Sequence, residues 1–228
     1  MNSFDDIWNK IYESGHINRY PWDSVVSFIF RHFPRSKAKA DIRVLELGCG
    51  AGNNLWFCAK EGFQVIGVDA SPQALNFAKA RFAQEQLTGE FLQENFTQLS
   101  LQDDSIDMVF DRASLTCTPF SVIQQTIEEV HRVLKPGGKF LFIPYADSHS
   151  SAASGVFDAQ ERMVKAITAG TLVDVGQICF VSLNDIKSLF PLEKWNFVQI
   201  ERAENTNVLN PQYPVHAEYR VIVEKKGV

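Results

Sequence analysis

The sequence predicts an α/β fold: a doubly wound, mostly parallel sheet of seven strands, with helices on both faces and an antiparallel hairpin at its C-terminal end. Three observations predict it. Short apolar runs alternate with stretches of helical period, a glycine-rich turn follows the first of these runs, and the last run alternates apolar with polar residues. At 228 residues, 45% of them hydrophobic, the chain can bury a core of its own.

The strand-turn-helix order is clearest in the first half of the chain. RVLEL (Arg43 to Leu47) is an aliphatic run that ends in glycines, and QVIGVD (Gln64 to Asp69) is a second such run. Ser71 and Pro72 follow it, and they are residue types favoured at a helix N-cap and at the first helical position. A further strand is predicted at SIDMVFDRA (Ser105 to Ala113).

The second half of the predicted sheet begins after an amphipathic helix. Pro136 to Gly138 are predicted to end that helix, and KFLFIP (Lys139 to Pro144) to begin the next strand. WNFVQIER (Trp195 to Arg202) and HAEYRVIVEK (His216 to Lys225) are predicted to form the antiparallel hairpin. Strands that alternate with helices in this way indicate a Rossmann-like sheet. The predicted apolar face of the helix consists of Ile123, Ile127, Val130 and Leu134.

We expect one domain with four parts. Residues 1–40 form a helical lid, 41–144 a ligand-binding core, 145–181 an inserted cap with a helix around Phe157 to Ala169, and 182–228 a C-terminal helix and strands. The lid helices are expected to lie across the ligand-binding end of the sheet. Its aromatic residues could cover a bound ligand: Trp8, Tyr12, Tyr20 and Trp22.

Composition excludes several classes of partner. Lys and Arg total 22 against 27 Asp and Glu, and a net charge of -5 argues against nucleic acid. No apolar run reaches the roughly 18 residues that cross a bilayer, and the N-terminus is polar, so we expect a cytoplasmic protein without membrane contact. The four cysteines lack metal-site spacing, so no metal is expected. A monomer or homodimer is expected.

The glycine turn after the first strand indicates the ligand. Gly48, Gly50 and Gly52 alternate directly after the strand, so the backbone can turn sharply and approach a ligand. Asp69, at the end of the next strand, can accept hydrogen bonds from ribose hydroxyls. The turn has no basic residue to meet a diphosphate, and Glu46 before it favours a cationic ligand. These features fit S-adenosylmethionine, which carries an amino group and a sulfonium.

The motifs VLELGCGAGNN, VIGVDAS, SIDMVFDRA and HRVLKPGGKFLF resemble those of class I S-adenosylmethionine-dependent methyltransferases. The resemblance covers Asp41 to Pro144. Within that superfamily, DRASL (Asp111 to Leu115) and RYPW (Arg19 to Trp22) are similar to the thiopurine methyltransferase and tellurite-resistance branch. The resemblance implies methyl transfer from S-adenosyl-L-methionine to an acceptor, which we expect to be a small molecule.

The resemblance also implies roles for individual residues. Asp69 would hold the ribose, and Asp111 and Arg112 would stand near the transferred methyl group as catalytic residues. Asn95 stands where the family usually has an acidic residue beside the adenine. The full set of predicted cofactor-binding residues is Glu46, Leu47, Gly48, Gly50, Asp69, Ala70, Asn95, Phe96, Asp111, Trp8 and Tyr12.

Methyl transfer from a sulfonium is an in-line displacement, so a sulfur, selenium or nitrogen acceptor needs no dedicated base. If a base is used, the candidates are Tyr145, His149 and His216. Two alternatives remain open from the sequence. An NAD-dependent oxidoreductase would use the same strand, turn and acidic residue, and a non-catalytic adenosyl-binding module would keep the turn without an acceptor pocket.

Overall fold

The computed structural model describes Ile7, Trp8, Tyr12 and residues 17–227, and the rest of the predicted N-terminal lid lies outside these residues. The helices are α1 (Asp23–His32), α2 (Asn53–Lys60), α3 (Pro72–Gln84), α4 (Phe120–Val133) and α5 (Leu183–Leu189). The strands are β1 (Arg43–Leu47), β2 (Gln64–Asp69), β3 (Glu90–Gln93), β4 (Ile106–Arg112), β5 (Leu134–Ile143), β6 (Val156–Asp158), β7 (Met163–Lys165), β8 (Trp195–Asn205) and β9 (His216–Lys225).

The main sheet has seven strands in the order β3-β2-β1-β4-β5-β9-β8. The first five are parallel to their neighbours, whereas β9 pairs antiparallel with both β5 and β8. The predicted fold class is therefore confirmed. The chain runs outward from β1 to β3 and then returns to β4 on the other side of β1. This reversal opens a crevice at the carboxyl ends of β1 and β4, where open α/β sheets bind their ligands.

The two faces of the sheet bury separate apolar clusters because successive strand residues point to opposite sides. Val44 packs in the cluster that α1, α2 and α3 cover, and Leu45 packs in the cluster that α4 and α5 cover. Each fully buried aliphatic or aromatic side chain contributes about 1.5–3 kcal/mol relative to exposure. The helices thus fix the strands, and with them the crevice.

The first helix lies elsewhere than expected. α1 buries Val25, Phe28 and Ile29 against one face of the sheet, beside Met108 and Leu141, instead of crossing its carboxyl end. The reason is the spacing of these three residues at i, i+3 and i+4, which makes one apolar stripe that a flat sheet face can cover completely. None of the helices in the described part of the chain is both long enough and apolar enough to span a bilayer.

Two predicted details in the second half are wrong. The helix around Phe157 to Ala169 is instead the hairpin β6–β7, because Arg162 and Ala166 adopt left-handed backbone at φ +57° and +51°, which a helix cannot contain. Pro136 to Gly138 do not end α4, which already ends at Val133. They form an irregularity within β5, where the register to β4 shifts and Gly137 has φ +76°.

The segment 145–181 begins and ends at the same place on the sheet. The Val181 amide donates to the Tyr145 carbonyl at 3.0 Å, and the Asp147 amide donates to the Val181 carbonyl at 3.0 Å. The Ala146 amide also donates to Ala217 of β9 at 3.0 Å. The segment is therefore fixed at its base to the edge of the crevice.

Candidate functional site

A cavity of about 660 Å³ opens at the carboxyl ends of β1, β2 and β4, within the size range of small-molecule sites. It contains most of the predicted site residues, but Leu47 and Asp111 do not line it because both are fully buried. Tyr20 is exposed and lies outside the cavity. The predicted residues that do line it are Trp8, Tyr12, Trp22, Glu46, Gly48, Gly50, Asp69, Ala70, Asn95, Phe96, Arg112 and Tyr145.

The glycine turn has the backbone that its sequence requires. Gly48, Gly50 and Gly52 all have positive φ, at +65°, +52° and +73°. A Cβ on Gly50 would stand 2.3 Å from the Tyr12 hydroxyl oxygen, and a Cβ on Gly48 would collide with Ser114. Both the left-handed backbone and the close approach therefore demand glycine.

Asp69 is fixed by the backbone on both sides. Its Oδ2 accepts from the Gly50 amide at 2.8 Å, and its Oδ1 accepts from the Ser71 amide at 2.8 Å. Each carboxylate oxygen keeps a further acceptor position. Burial raises the pKa of Asp69, while the bonds from Ser71 and Gly50 oppose that rise. The Asp69 carboxylate is therefore fixed in the cavity lining with acceptor capacity to spare.

Glu46 presents an unsatisfied oxygen in the cavity wall. Its side chain is buried, and its Oε1 accepts from the Asn54 amide nitrogen at 2.7 Å. Its Oε2 has no hydrogen-bond partner among the described residues. Burial raises the pKa of Glu46 well above its ordinary value, and the nearby Asp111 and Asp69 raise it further. This oxygen fits a cation such as the ammonium group of an amino-acid moiety, because a cation there would satisfy it.

Asp111 lies behind the cavity surface and organises the loop after β4. Its Oδ1 accepts from the amides of Ser114 and Leu115, both at 3.0 Å, and from the Ser114 hydroxyl. Its Oδ2 has no partner within the described part of the chain. Burial raises the pKa of Asp111 to about 6, against the opposing effect of these hydrogen bonds. These bonds hold the loop after β4, and the predicted catalytic role of Asp111 stays a prediction.

The other side of the cavity is aromatic and carries one cation. The Arg112 guanidinium lies 4.2 Å from the centre of the Trp22 ring, a cation–π contact. Its Nη2 is 3.4 Å from Glu218 Oε2. Trp8, Tyr145 and Val175 complete this wall. We name it the acceptor wall: Trp8, Trp22, Arg112, Cys117, Tyr145 and Val175.

The three candidate bases differ in position. Tyr145 lines the cavity, but burial raises its pKa to about 12. His149 and His216 lie outside the lining and bond to each other, with His149 Nε2 at 3.3 Å from His216 Nδ1. His149 Nδ1 also accepts from the Ser151 amide at 3.0 Å, and burial lowers the pKa of His149 to about 4. These two histidines therefore join the 145–181 segment to β9.

Sequence reasoning missed the contribution of Asn53 and Asn54, which start α2. The Asn53 amide nitrogen donates to the Tyr20 carbonyl at 2.8 Å, and the Asn54 oxygen accepts from the Trp22 amide at 3.0 Å. Their position directly after the third glycine was the available signal. Within the described residues, no group of three or more His, Cys, Asp or Glu side chains is arranged to hold a metal ion. All four cysteines are buried.

The Rossmann-like sheet with a glycine turn after β1 is a fold that solved S-adenosylmethionine-dependent methyltransferase structures share. Residues 44–138 match the family described as methyltransferase domain, and S-adenosylmethionine is the cofactor that this family and the related structures indicate for the site.

Relatives with similar sequences match this chain over part of their length. A predicted methyltransferase of Geobacillus sp. (strain WCH70) is 33% identical over 141 residues, which cover 59% of this chain and 53% of that protein. The tRNA N(3)-methylcytidine methyltransferase trm140 of Schizosaccharomyces pombe is 34% identical over 115 residues, covering 45% and 36%. The chain spans about half the length, 53% and 46%, of the first two curated relatives it matches.

Solved structures share the fold at low identity. A SAM-dependent methyltransferase of Methanosarcina mazei has a TM-score of 0.70 at 20% identity, with 87% of this chain and 97% of that one covered. TehB of Haemophilus influenzae has a TM-score of 0.62 at 16% identity, with 97% and 66% covered. At these identities the likeness concerns the fold.

Proposed function

We propose that this chain transfers the methyl group of S-adenosylmethionine to a small, partly apolar acceptor by in-line displacement. The observation that carries the proposal is the buried, unpartnered Oε2 of Glu46 in the wall of a cavity at the sheet crevice. An uncompensated acceptor in a buried site costs free energy that a bound cation would recover. S-adenosylmethionine carries its ammonium group at one end of an adenosyl ligand, which matches the turn and Asp69.

The residues divide into a cofactor side and an acceptor side. On the cofactor side, Asp69 would accept from the ribose hydroxyls, Glu46 would bind the ammonium group, and the backbone at Gly48 would pass beneath the methionine part. Ala70, Asn95 and Phe96, which line the cavity, would contact the adenine. Tyr12, whose hydroxyl lies against Gly50, and Trp8 would cover the ligand.

When bound, the sulfonium supplies an activated methyl group with a neutral leaving group. The protein's own residues then have two tasks, alignment and exclusion of water. The acceptor wall would hold the nucleophile in line with the methyl group, and such alignment can lower the barrier by about 7–11 kcal/mol. Its aromatic and apolar side chains would keep water from the reacting atoms.

The acceptor wall also indicates the kind of nucleophile. Tyr145, with its pKa raised to about 12, stays protonated at neutral pH and is a weak base. Both candidate histidines lie outside the cavity lining. This arrangement favours an acceptor that attacks without losing a proton to the protein, such as a sulfur, selenium or nitrogen nucleophile or a carboxylate.

Three alternatives are distinguished by what the cavity would bind. A nicotinamide cofactor would bring its diphosphate to a turn without a basic residue and next to Glu46, which disfavours it. A non-catalytic module would not need the open acceptor wall. A tRNA acceptor is the second candidate function, because one relative carries that activity in its name, although the chain has a net charge of -5.

The branch within the methyltransferases stays a proposal. The motif Asp111 to Leu115 and the aromatic segment Arg19 to Trp22 support the thiopurine methyltransferase and tellurite-resistance branch.

Titration calorimetry with S-adenosylhomocysteine tests the cofactor, with NADH as the control ligand. We expect saturable binding of the first ligand and none of the second. Transfer of label from S-adenosylmethionine to a panel of small thiols, selenols, amines and carboxylates, and in parallel to unmodified tRNA, then separates the two candidate acceptors. Binding of NADH in place of S-adenosylhomocysteine would contradict the proposal.

A further inference from the structure

The segment that leads into α1 is tied to the start of α2 by two neighbouring asparagines. Asn53 holds the Tyr20 carbonyl and Asn54 holds the Trp22 amide. The side-chain amides of Asn53 and Asn54 differ in their second hydrogen-bond partner. Asn54 also donates to Glu46 Oε1 at 2.7 Å, whereas Asn53 reaches only Asn54 Oδ1, at 3.4 Å. Asn54 alone of this pair therefore joins the N-terminal segment to the cavity carboxylate.

The orientation of the Asn54 amide is determined by its partners. Its Nδ2 donates to Glu46 Oε1, and its Oδ1 accepts from the Trp22 backbone N–H, which can only donate. A flipped amide would place its NH₂ group against that N–H, donor against donor. The side chain is 2% exposed, so water cannot replace either bond cheaply. Asn54 is thus a rigid link between Glu46 and Trp22.

Trp22 carries this link to the acceptor wall. Its ring lies beneath the Arg112 guanidinium at 4.2 Å, and both residues line the cavity. Its carbonyl accepts from the amides of Val25 and Val26, so the same residue begins α1. A shift of the Trp22 backbone would move the indole ring and disrupt its cation–π contact with Arg112.

We propose that Asn54 is a positioning residue that couples a cation at Glu46 to the seating of Trp22 and Arg112, so that the acceptor wall is completed when the cofactor is bound. The inference rests on the proposed function, because the cation is the ammonium group of the cofactor. It adds an order of binding, with cofactor first and acceptor second.

The coupling follows from the charge state of Glu46. Burial raises the pKa of Glu46, and the nearby Asp111 and Asp69 raise it further. A cation at Oε2 favours the carboxylate, and a hydrogen bond from Asn54 to a carboxylate is shorter and stronger than one to a neutral acid. The linked bonds polarise one another, which strengthens the hold on the Trp22 amide. The titratable groups that interact with Glu46 are Asp69, Asp111, Cys49, Cys58 and Tyr12.

The test compares Asn54→Leu, which removes both bonds, with Asn53→Ala, which loosens the same segment without touching Glu46. Amide hydrogen exchange of the peptide that contains Trp22 is measured with and without S-adenosylhomocysteine. In the wild type and in Asn53→Ala we expect the ligand to slow exchange at Trp22. In Asn54→Leu we expect that ligand-induced protection to disappear, and affinity to fall about ten- to a hundredfold at pH 7.5.

The pH profile of binding supplies a readout that a merely structural role would not move. Binding of the ammonium group requires ionised Glu46, so affinity falls as pH falls through the raised pKa of that group. The Asn54 bond lowers that pKa, and its loss should shift the midpoint to higher pH. Asn53→Ala should leave the midpoint in place. Asn54→Asp, which keeps an acceptor for Trp22 but adds a like charge beside Glu46, should shift it in the same direction as Asn54→Leu.

Thermal melts establish that each variant is folded, and Asn54→Asp serves if Asn54→Leu is not. Wild-type binding with unchanged Trp22 protection and an unchanged midpoint in the Asn54 variants would overturn the coupling and leave the proposed function intact. Absence of binding to the wild type would overturn the proposed function, and the coupling with it.

Discussion

Replacing Asp69 with asparagine changes one carboxylate oxygen into an amide group and leaves the shape of the side chain intact. In the structure both oxygens accept from backbone amides, those of Gly50 and Ser71, each at 2.8 Å. An asparagine can accept from one of these amides, but its NH₂ group must face the other. The variant therefore perturbs both the turn and the predicted ribose contact.

The two effects have separate magnitudes. One buried amide left without an acceptor should lower the free energy of unfolding by about 1–3 kcal/mol. Hydrogen bonds to a charged group are worth roughly twice those to a neutral one, so two ribose hydroxyls should lose about 1–3 kcal/mol of binding free energy together. That loss corresponds to roughly a five- to 150-fold weaker affinity.

Calorimetry with S-adenosylhomocysteine measures the affinity, and thermal denaturation without ligand measures the stability. Glu94→Gln is the matched control, because Glu94 also lines the cavity but its carboxylate accepts only from the Ser100 amide within the described residues. The control should change affinity far less. A folded Asp69→Asn protein with wild-type affinity would refute the ribose assignment.

The remaining predictions concern backbone and charge. Gly50→Ala, at φ +52°, should lower the melting temperature and weaken S-adenosylhomocysteine binding, whereas Gly62→Ala, at φ +90° with open space around it, should lower the melting temperature only. Burial raises the pKa of Asp111 to about 6, so the free energy of unfolding falls as pH rises through that value. Asp111→Asn should therefore have a higher melting temperature than wild type at pH 7.5 and the same melting temperature at pH 4. The variant should also impair turnover. The pKa of Glu218 is about 2, because burial is outweighed by His216, Arg112 and Arg220. The stabilisation by Glu218 is present above pH ~4.5 and lost toward pH 2. Glu218→Gln should therefore have a lower melting temperature at pH 7, because it removes the ion pair with Arg112. An unchanged melting temperature at pH 7 would contradict this stabilising role.

Local patterns predicted the core of the fold well. The RVLEL run, the glycines after it and Asp69 after the second strand are close together in sequence, and each follows from the preference of a few residues for one backbone geometry. Six of the seven strands were located from such runs, whereas β3 (Glu90–Gln93) was not. The mostly parallel arrangement follows from the alternation of the runs with helices.

What the sequence did not reveal depends on contacts between distant residues. Asn54 meets the Trp22 amide 32 positions away, and no local pattern marks that pair. The segment around Phe157 has apolar residues that suit a helix or a hairpin equally, and the left-handed residues that exclude the helix are not glycines. Likewise, the chain position of Asp111 at a strand end did not disclose that its side chain is fully buried.

The paired ends of the 145–181 segment bear on how such a site can diversify. Val181 and Tyr145 are joined by a hydrogen bond, so the segment starts and ends at the same place on the sheet. The distance between its two ends therefore does not depend on the length of the residues between them. Val175 of the acceptor wall belongs to this loop, whereas Glu46 and Asp69 belong to the sheet. Loops of other lengths could be exchanged at the same two positions with little change in closure entropy, so a library of new acceptor preferences can be built on one constant cofactor platform.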